Sequence, residues 1–510
     1  MALEEENIFA RTGYLGCLVA TLSLAVAMFL TLRSPLLFTG QDSEIINAAL
    51  VSVTASLCAI CMSFEVYISR ATRSPFISLI VGIVATPAFV WIFAFHSILP
   101  WAATAMVLIR QIVISRGIRS RSLLAVVLPS AMIGYWVFLL TYVDGYKTPW
   151  INEAVATGTV HVDMLFHAAI VNMISEFNAP SLGIDGTTPF PYHFGSHKIA
   201  ALFCHLLGIG AIKFYAIAFT LLFGPLFILS FFFFSTSFLL FLSRTEYTTA
   251  RERKIIYSKW FWISFFLVFV GLIPATDRRN LGVWDNAFHS ESFGVAILAS
   301  YLAGIWILDQ LGHKISVGLR WYSYPAIGVY LIALCSLKIS VGAVVGCLLA
   351  YITLRLPLTL IQRSLAWLAM SSALVYGYFA TQVAAQGANA GPGLMQMIKP
   401  FAFIKDVLPP ERWLPSFFAF FGPMIVFSIL RLHRFSLPNA PGAIAILNAV
   451  PRDVELIIII TLISIAPGLI LSVPQGSTNF FAEVSYWWVQ PMLSVMLAST
   501  FAAFAGLRRK

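Results

Sequence analysis

Long apolar runs recur from one end of this chain to the other, the first at Tyr14–Leu32 and the last at Trp487–Phe504. In hydrocarbon such a run must satisfy its own backbone, because each unpaired amide or carbonyl there costs on the order of several kcal/mol. A transmembrane barrel meets that demand with strands of alternating apolar and polar residues, about ten per strand, and the chain has no such alternation. The expectation is an all-α, polytopic helical membrane protein with about fourteen transmembrane helices. A 59% hydrophobic share against 11% charged residues excludes a water-soluble globular chain. The first run follows Glu4, Glu5 and Glu6 rather than a basic segment, and reads as an uncleaved first helix.

The 32 basic and 22 acidic residues leave a net charge of +10. The basic residues fall in short clusters between apolar runs: Arg70/Arg73, Arg110 to Arg121, Arg244 to Lys259, Lys314/Arg320, Arg355/Arg363, Arg431/Arg434 and Arg508 to Lys510. With both termini cytoplasmic, every cluster lands on the inner side of the cell (cytoplasmic) membrane. Positive-inside topology accounts for the basic excess, and no nucleic-acid partner is implied. The long loops then face outward: Asp144–Lys213, Ala275–Ser292, Val383–Arg412 and Pro474–Tyr486. They carry the acidic residues in excess, so chemistry is expected outside the cytoplasm. All six cysteines lie in or beside apolar runs, which predicts neither a disulfide framework nor a zinc knuckle.

Within a single membrane-embedded domain, residues 1–510, the outer loop 144–213 stands out. Its segment HVDMLFHAAIVNMISEFNAPSLGIDGTTPFPYHFGSHK, residues 161–198, holds four of the nine histidines, and His205 lies close behind. A membrane chain that gathers its titratable groups in one place has its candidate active site there. Leu165, Phe166, Ile170, Val171 and Ile174 recur at helical spacing, and Lys198–Leu207 is again apolar. The loop is therefore expected to form two interfacial helices joined by a turn at Asp185-Gly186.

Asp163 and His167 are four residues apart, on one side of the first of these helices. A carboxylate there can act as a general base, and a neighbouring histidine can tune it or bind a phosphate. Asp163 equally suits the N-cap of a helix beginning at Met164. His193 and His197 share the same spacing. Together His161, Asp163, His193 and His197 offer nitrogen and oxygen ligands for a divalent metal ion, or serve as hydrogen bonders; the residue types leave both open. In the second outer loop Arg278 and Arg279 are suited to clamp a phosphate. Lys338 separates two segments, Tyr324–Leu337 and Val341–Leu354, that are short of the roughly 20 residues of a perpendicular span, and it is expected to meet a cavity and an anion. No Walker A, dinucleotide-binding glycine motif or nucleophile elbow occurs.

Two stretches carry a resemblance. HVDMLFHAAI resembles the acidic first outer loop of the GT-C class of membrane glycosyltransferases. LIALCSLKISVGAVVGCLLAYITLR resembles the Leu-x-x-Lys-Gly-Pro stretch between short helices in its protein mannosyltransferase and aminoarabinose transferase branches, with Ile339 and Ser340 in place of Gly-Pro. Five predicted spans precede Asp163, where that class has one, and Met164 stands where an acidic neighbour is frequent. The resemblance implies a GT-C-like fold and transfer of a sugar from a polyprenyl-phosphate-linked donor to a cell-envelope glycan, lipid or protein acceptor. Asp163 and His167 would be catalytic. His161, His193, His197, Arg278, Arg279 and Lys338 would bind the lipid-linked donor in the surrounding membrane lipid. A polysaccharide polymerase or ligase using polyprenyl-pyrophosphate glycans remains open, as does a transporter whose path would include Lys338, Glu65 and Asp309.

The topology has a direct test. A cysteine at Thr187 should react with an impermeant thiol reagent on intact cells, and one at Thr249, inside the densest basic cluster, should not. The reverse labelling pattern overturns this orientation.

Overall fold

The computed structural model describes residues 18–27, 43–69, 74–96, 98–115, 162–183, 192–244, 261–269, 290–312, 322–383, 450–471 and 479–507, with scattered positions between them. The principal helices in chain order are α1 (Ser43–Ile68), α2 (Pro75–Ala94), α3 (Leu99–Ser115), α4 (Val162–Phe177), α5 (Gly195–Leu207), α6 (Phe219–Arg244), α7 (Phe261–Phe269), α8 (Glu291–Gly312), α9 (Ser323–Leu337), α10 (Ile339–Arg355), α11 (Leu360–Val383), α12 (Arg452–Ile470) and α13 (Asn479–Leu507). Among the described residues four helices are long and apolar enough to cross a membrane: α1, α2, the continuous rod Ala211–Leu242 that contains most of α6, and α8. The chain is thus a helical protein with membrane-spanning segments. The predicted spans Leu123–Val143 and Trp413–Leu430 lie largely outside the described residues.

The chain divides into two compact units. One comprises Met1–Phe233, Phe288–Leu298 and Ala384–Asn389; the other comprises Phe234–Ala287, Ala299–Val383 and Ala390–Lys510.

In the first unit α1 packs along α2 and α3. Ser74 caps α2 by accepting from the Ile77 amide at 3.4 Å, and Pro75 sits in its first turn, where a missing N–H costs nothing. Gly82 lets α2 approach Ser63 and Leu229, since an added Cβ would lie 2.8 Å from the Leu229 side chain. Two hydroxyls in these helices find carbonyls: Thr86 Oγ1 donates to Gly82 O at 2.8 Å, and Ser56 Oγ to Leu221 O at 2.7 Å. Ile80, Val84, Trp91 and Trp101 point outward, as side chains facing lipid should. Glu65 pairs with Arg110 from the neighbouring basic cluster.

Before α6 the chain makes a helical turn, Ala211–Lys213, and then a π turn, Phe214–Ala218. The first is docked on both sides: Lys213 Nζ lies 3.1 Å from Glu44 of α1, and the Ala211 amide donates to Asn172 Oδ1 of α4 at 3.4 Å. Phe214, Phe219 and Phe223 then pack edge-on and stacked with one another and with Phe203 of α5.

In the second unit α9, α10 and α11 pack together, α10 also meets α12 and α13, and α13 lies along α7 and α12. Trp488, 1% exposed, donates its indole N–H to Ser300 Oγ at 2.8 Å, and Tyr301 donates to Trp487 O at 2.8 Å. Three helix ends meet at a small cavity lined by Leu311, Tyr351, Arg355, Arg452 and Glu455. Glu455, in the first turn of α12, accepts from Arg355, in the last turn of α10, at 2.7 Å, and from Tyr351. Arg452 donates to the Leu311 carbonyl near the end of α8 at 2.9 Å. Glu455 and Arg355 each sit at the helix end whose dipole favours their charge. Arg244 pairs with Asp309 at 3.0 Å. Glu65 and Asp309, two of the three charges a transport path would use, are thus ion-paired to arginines of the basic clusters.

One close helix contact in this unit runs through Cys335. A Cβ added at Gly377 of α11 would lie 2.6 Å from Cys335 Cβ and 3.0 Å from its Sγ, and one added at Gly342 of α10 would strike the same sulfur. The Cys335 methylene and thiol therefore fill the space that two glycines leave. Gly377→Ala is expected to cost about 1–3 kcal/mol by overpacking, read as a lowered thermal transition in detergent. Cys335→Gly should restore part of that loss in the Gly377→Ala background and lower stability on its own.

Candidate functional site

The site lies in the first unit, where the histidine-rich segment forms α4 and α5. The helix α4 begins at Val162, so Asp163 is the second residue of the helix rather than its cap. Asn178, at φ 50°, ends it, a left-handed position that asparagine tolerates better than most residues. A compact turn comes next, in which Ser181 Oγ accepts from the Gly183 amide at 3.1 Å and donates to Gly186 O at 2.8 Å. Gly183 and Gly186 hold φ of 77° and 75°, the conformation only glycine takes without strain. The helix α5 starts at Gly195 and stops at Gly208, whose φ of 66° gives the usual left-handed C-terminal cap. The expected pair of helices joined by an ordered turn is therefore present.

His167 of α4 is 6% exposed and His197 of α5 is 0% exposed. Their rings stack at 5.0 Å between centroids, with His167 Nδ1 2.8 Å from His197 Nε2. Only one hydrogen can occupy that short contact, so one ring donates and the other accepts. On its far side His167 Nε2 stands 3.2 Å from Oε2 of Glu291, the first residue of α8, itself 1% exposed. That contact is within ion-pair range but off the line of an ideal hydrogen bond. A carboxylate in the first turn of a helix is favoured by the helix dipole, which offsets part of its burial cost. At the other end His197 Nδ1 lies 3.4 Å from Ser196 Oγ.

An aromatic layer surrounds the pair. Tyr192 stacks on His193 at 4.0 Å and meets Phe166, Phe194 and His197 at 5.6 to 6.0 Å. His193 Nε2 lies 2.9 Å from Ser292 Oγ, which in turn is 3.0 Å from Ser290 Oγ. Burial pushes the thiol of Cys204, on α5, up to about 12, which favours its protonated form.

The structure thus joins His167 and His197, with His193 two residues before α5 begins. That position means His193 and His197 do not share a helical face, and their ring nitrogens turn to different partners, Ser292 and His167. His161, Arg278 and Arg279 lie outside the described residues, and of Asp163 the helical backbone alone is described. Among the described residues no three His, Cys, Asp or Glu side chains gather in a way that holds a metal ion. Lys338 belongs to the second unit. It is 6% exposed, in an extended conformation between α9 and α10, with Nζ 4.0 Å from the centroid of the Phe480 ring. Glu483, fully buried, stands one turn beyond Phe480 on α13.

Glu291, Ser292 and Ser196 are the site residues that spacing does not single out. The signal for Glu291 is its place: an acidic residue directly before a long apolar run sits at the head of a span. Neither a protein-family model, nor a curated protein, nor a solved structure matches the chain.

Proposed function

We propose that this protein is a membrane glycosyltransferase of GT-C type. It transfers a sugar from a polyprenyl-phosphate-linked donor to a cell-envelope acceptor on the outer face of the membrane, with Asp163 as general base. One observation carries the reading. Asp163 lies one helical turn before His167, and His167 is locked into a buried cluster with His197 and Glu291 where the beginnings of α5 and α8 meet α4. A base must be held still relative to the hydroxyl it deprotonates, and a ring fixed from two sides on the same helix supports that. The helix beginnings add positive partial charge, which suits an anionic donor.

In this mechanism the acceptor hydroxyl gives its proton to the Asp163 carboxylate as its oxygen attacks the anomeric carbon. The bond from that carbon to the lipid phosphate breaks on the opposite face, and the lipid phosphate leaves with the electron pair. The configuration inverts. His167, one turn along the same helix face, holds that face in register for the transfer.

Asp163→Asn preserves shape and removes the base, so transfer should fall by about 10²-fold or more with membrane insertion and thermal stability unchanged. Near-normal transfer by that variant overturns the assignment. Purified protein offered a polyprenyl-phosphate monosaccharide should consume it. Consumption of a polyprenyl-pyrophosphate oligosaccharide instead moves the protein to the polymerase or ligase class, and turnover of neither removes the enzymatic reading.

A further inference from the structure

The buried chain Ser196, His197, His167, Glu291 has a direction, and one residue sets it. The carboxylate of Glu291 can accept hydrogen bonds and cannot donate them, so it favours a hydrogen on His167 Nε2. A neutral His167 then has a bare Nδ1, which must accept from His197 Nε2 across the 2.8 Å contact. His197 is left with a bare Nδ1, facing Ser196 Oγ at 3.4 Å. We propose that Glu291 is a positioning residue that fixes the tautomer and orientation of both histidines, and through them the hydroxyl of Ser196, at the transfer site.

The surroundings are consistent with that role. His167 is faced by Glu291 from α8, by His197 from α5 and by Tyr192 from the segment before it. Tyr215 of the π turn, fully enclosed, lies within electrostatic reach of Glu291, Tyr192 and Cys204. Of these groups, Glu291 is the one acceptor-only group beside His167 Nε2. The three segments that bear the chain are far apart in sequence, so the tautomer is a property of the folded loop and not of α4 alone. The contact is the kind through which an orienting carboxylate acts on a histidine in acyl-transfer enzymes, here with a second ring inserted.

The inference rests on the transferase reading for its catalytic consequence but not for its chemical one, and the test separates the two. Histidine-labelled protein is compared by solid-state nitrogen-15 NMR, with the His167 signals identified by their loss in His167→Asn. The wild type should show a protonated Nε2 and an unprotonated Nδ1. Glu291→Asp stays acceptor-only and should keep that single tautomer. Glu291→Gln is isosteric but can present its NH2 group, so it should split His167 between two tautomers. In the transfer assay Glu291→Gln should lower kcat, while the donor KM stays within about twofold, as befits a group that positions other residues. A wild-type His167 protonated on Nδ1, or an unchanged single tautomer in Glu291→Gln, overturns the proposal. A wild type that consumes no lipid-linked sugar overturns the transferase reading alone, and the NMR comparison still decides the role of Glu291.

Discussion

A bilayer offers the backbone no water, and the features of this protein are so many ways of meeting that deficit. Peptide groups close on themselves in helices, the Thr86 hydroxyl turns back onto Gly82 O, and the Ser56 hydroxyl reaches Leu221 O. Charges near the spans sit at helix ends or in pairs. Glu455 takes Arg355 and Tyr351 at the junction of α10 and α12, and Glu65 takes Arg110. The histidine cluster obeys the same rule. Its two rings can be nine-tenths buried because each of their nitrogens has a polar neighbour, and because the Glu291 carboxylate beside them stands where a helix begins.

This shared constraint explains why the site is built at helix beginnings instead of in the middle of a span. An exposed loop would hold two imidazoles loosely, and a mid-span site would have to desolvate Glu291 without help from a helix dipole. The helices α4 and α5 avoid both faults. They bury His167 and His197 and leave Leu165 and Phe177 exposed. The aromatic layer around Tyr192 supplies apolar cover with few side-chain torsions to immobilise.

Much of this is legible in the residues. Apolar length foretells helices such as α1, α2 and α8, and the period of Leu165, Phe166, Ile170 and Val171 foretells α4. The short helices on either side of Lys338 are present as α9 and α10. The contacts of the site are less accessible, for a physical reason. Histidine spacing speaks to neighbours on one helix, whereas His167 is paired across to α5 and α8, at sequence separations that periodicity does not reach. His193 misleads for a related reason: its distance of four from His197 has meaning only inside a helix, and Gly195 begins that helix two residues too late. Phe480 and Glu483 fall in a stretch expected to be loop, yet α13 begins at Asn479 and makes them helical.

The π turn at Phe214–Ala218 bears on how this architecture can change over time. A π turn holds one residue more than an α turn, so it rotates everything before it by about 100° relative to an uninterrupted α-helix. On its N-terminal side stands the turn that Lys213 ties to Glu44 and Ala211 ties to Asn172; on its C-terminal side stands the phenylalanine-rich face of α6. The extra residue works as a phase adjuster between two surfaces that were fitted separately. Loss of a single codon in this stretch would leave a regular helix of unimpaired hydropathy, yet one of the two surfaces would face the wrong way. Related sequences should therefore conserve the length of this segment more strictly than its composition.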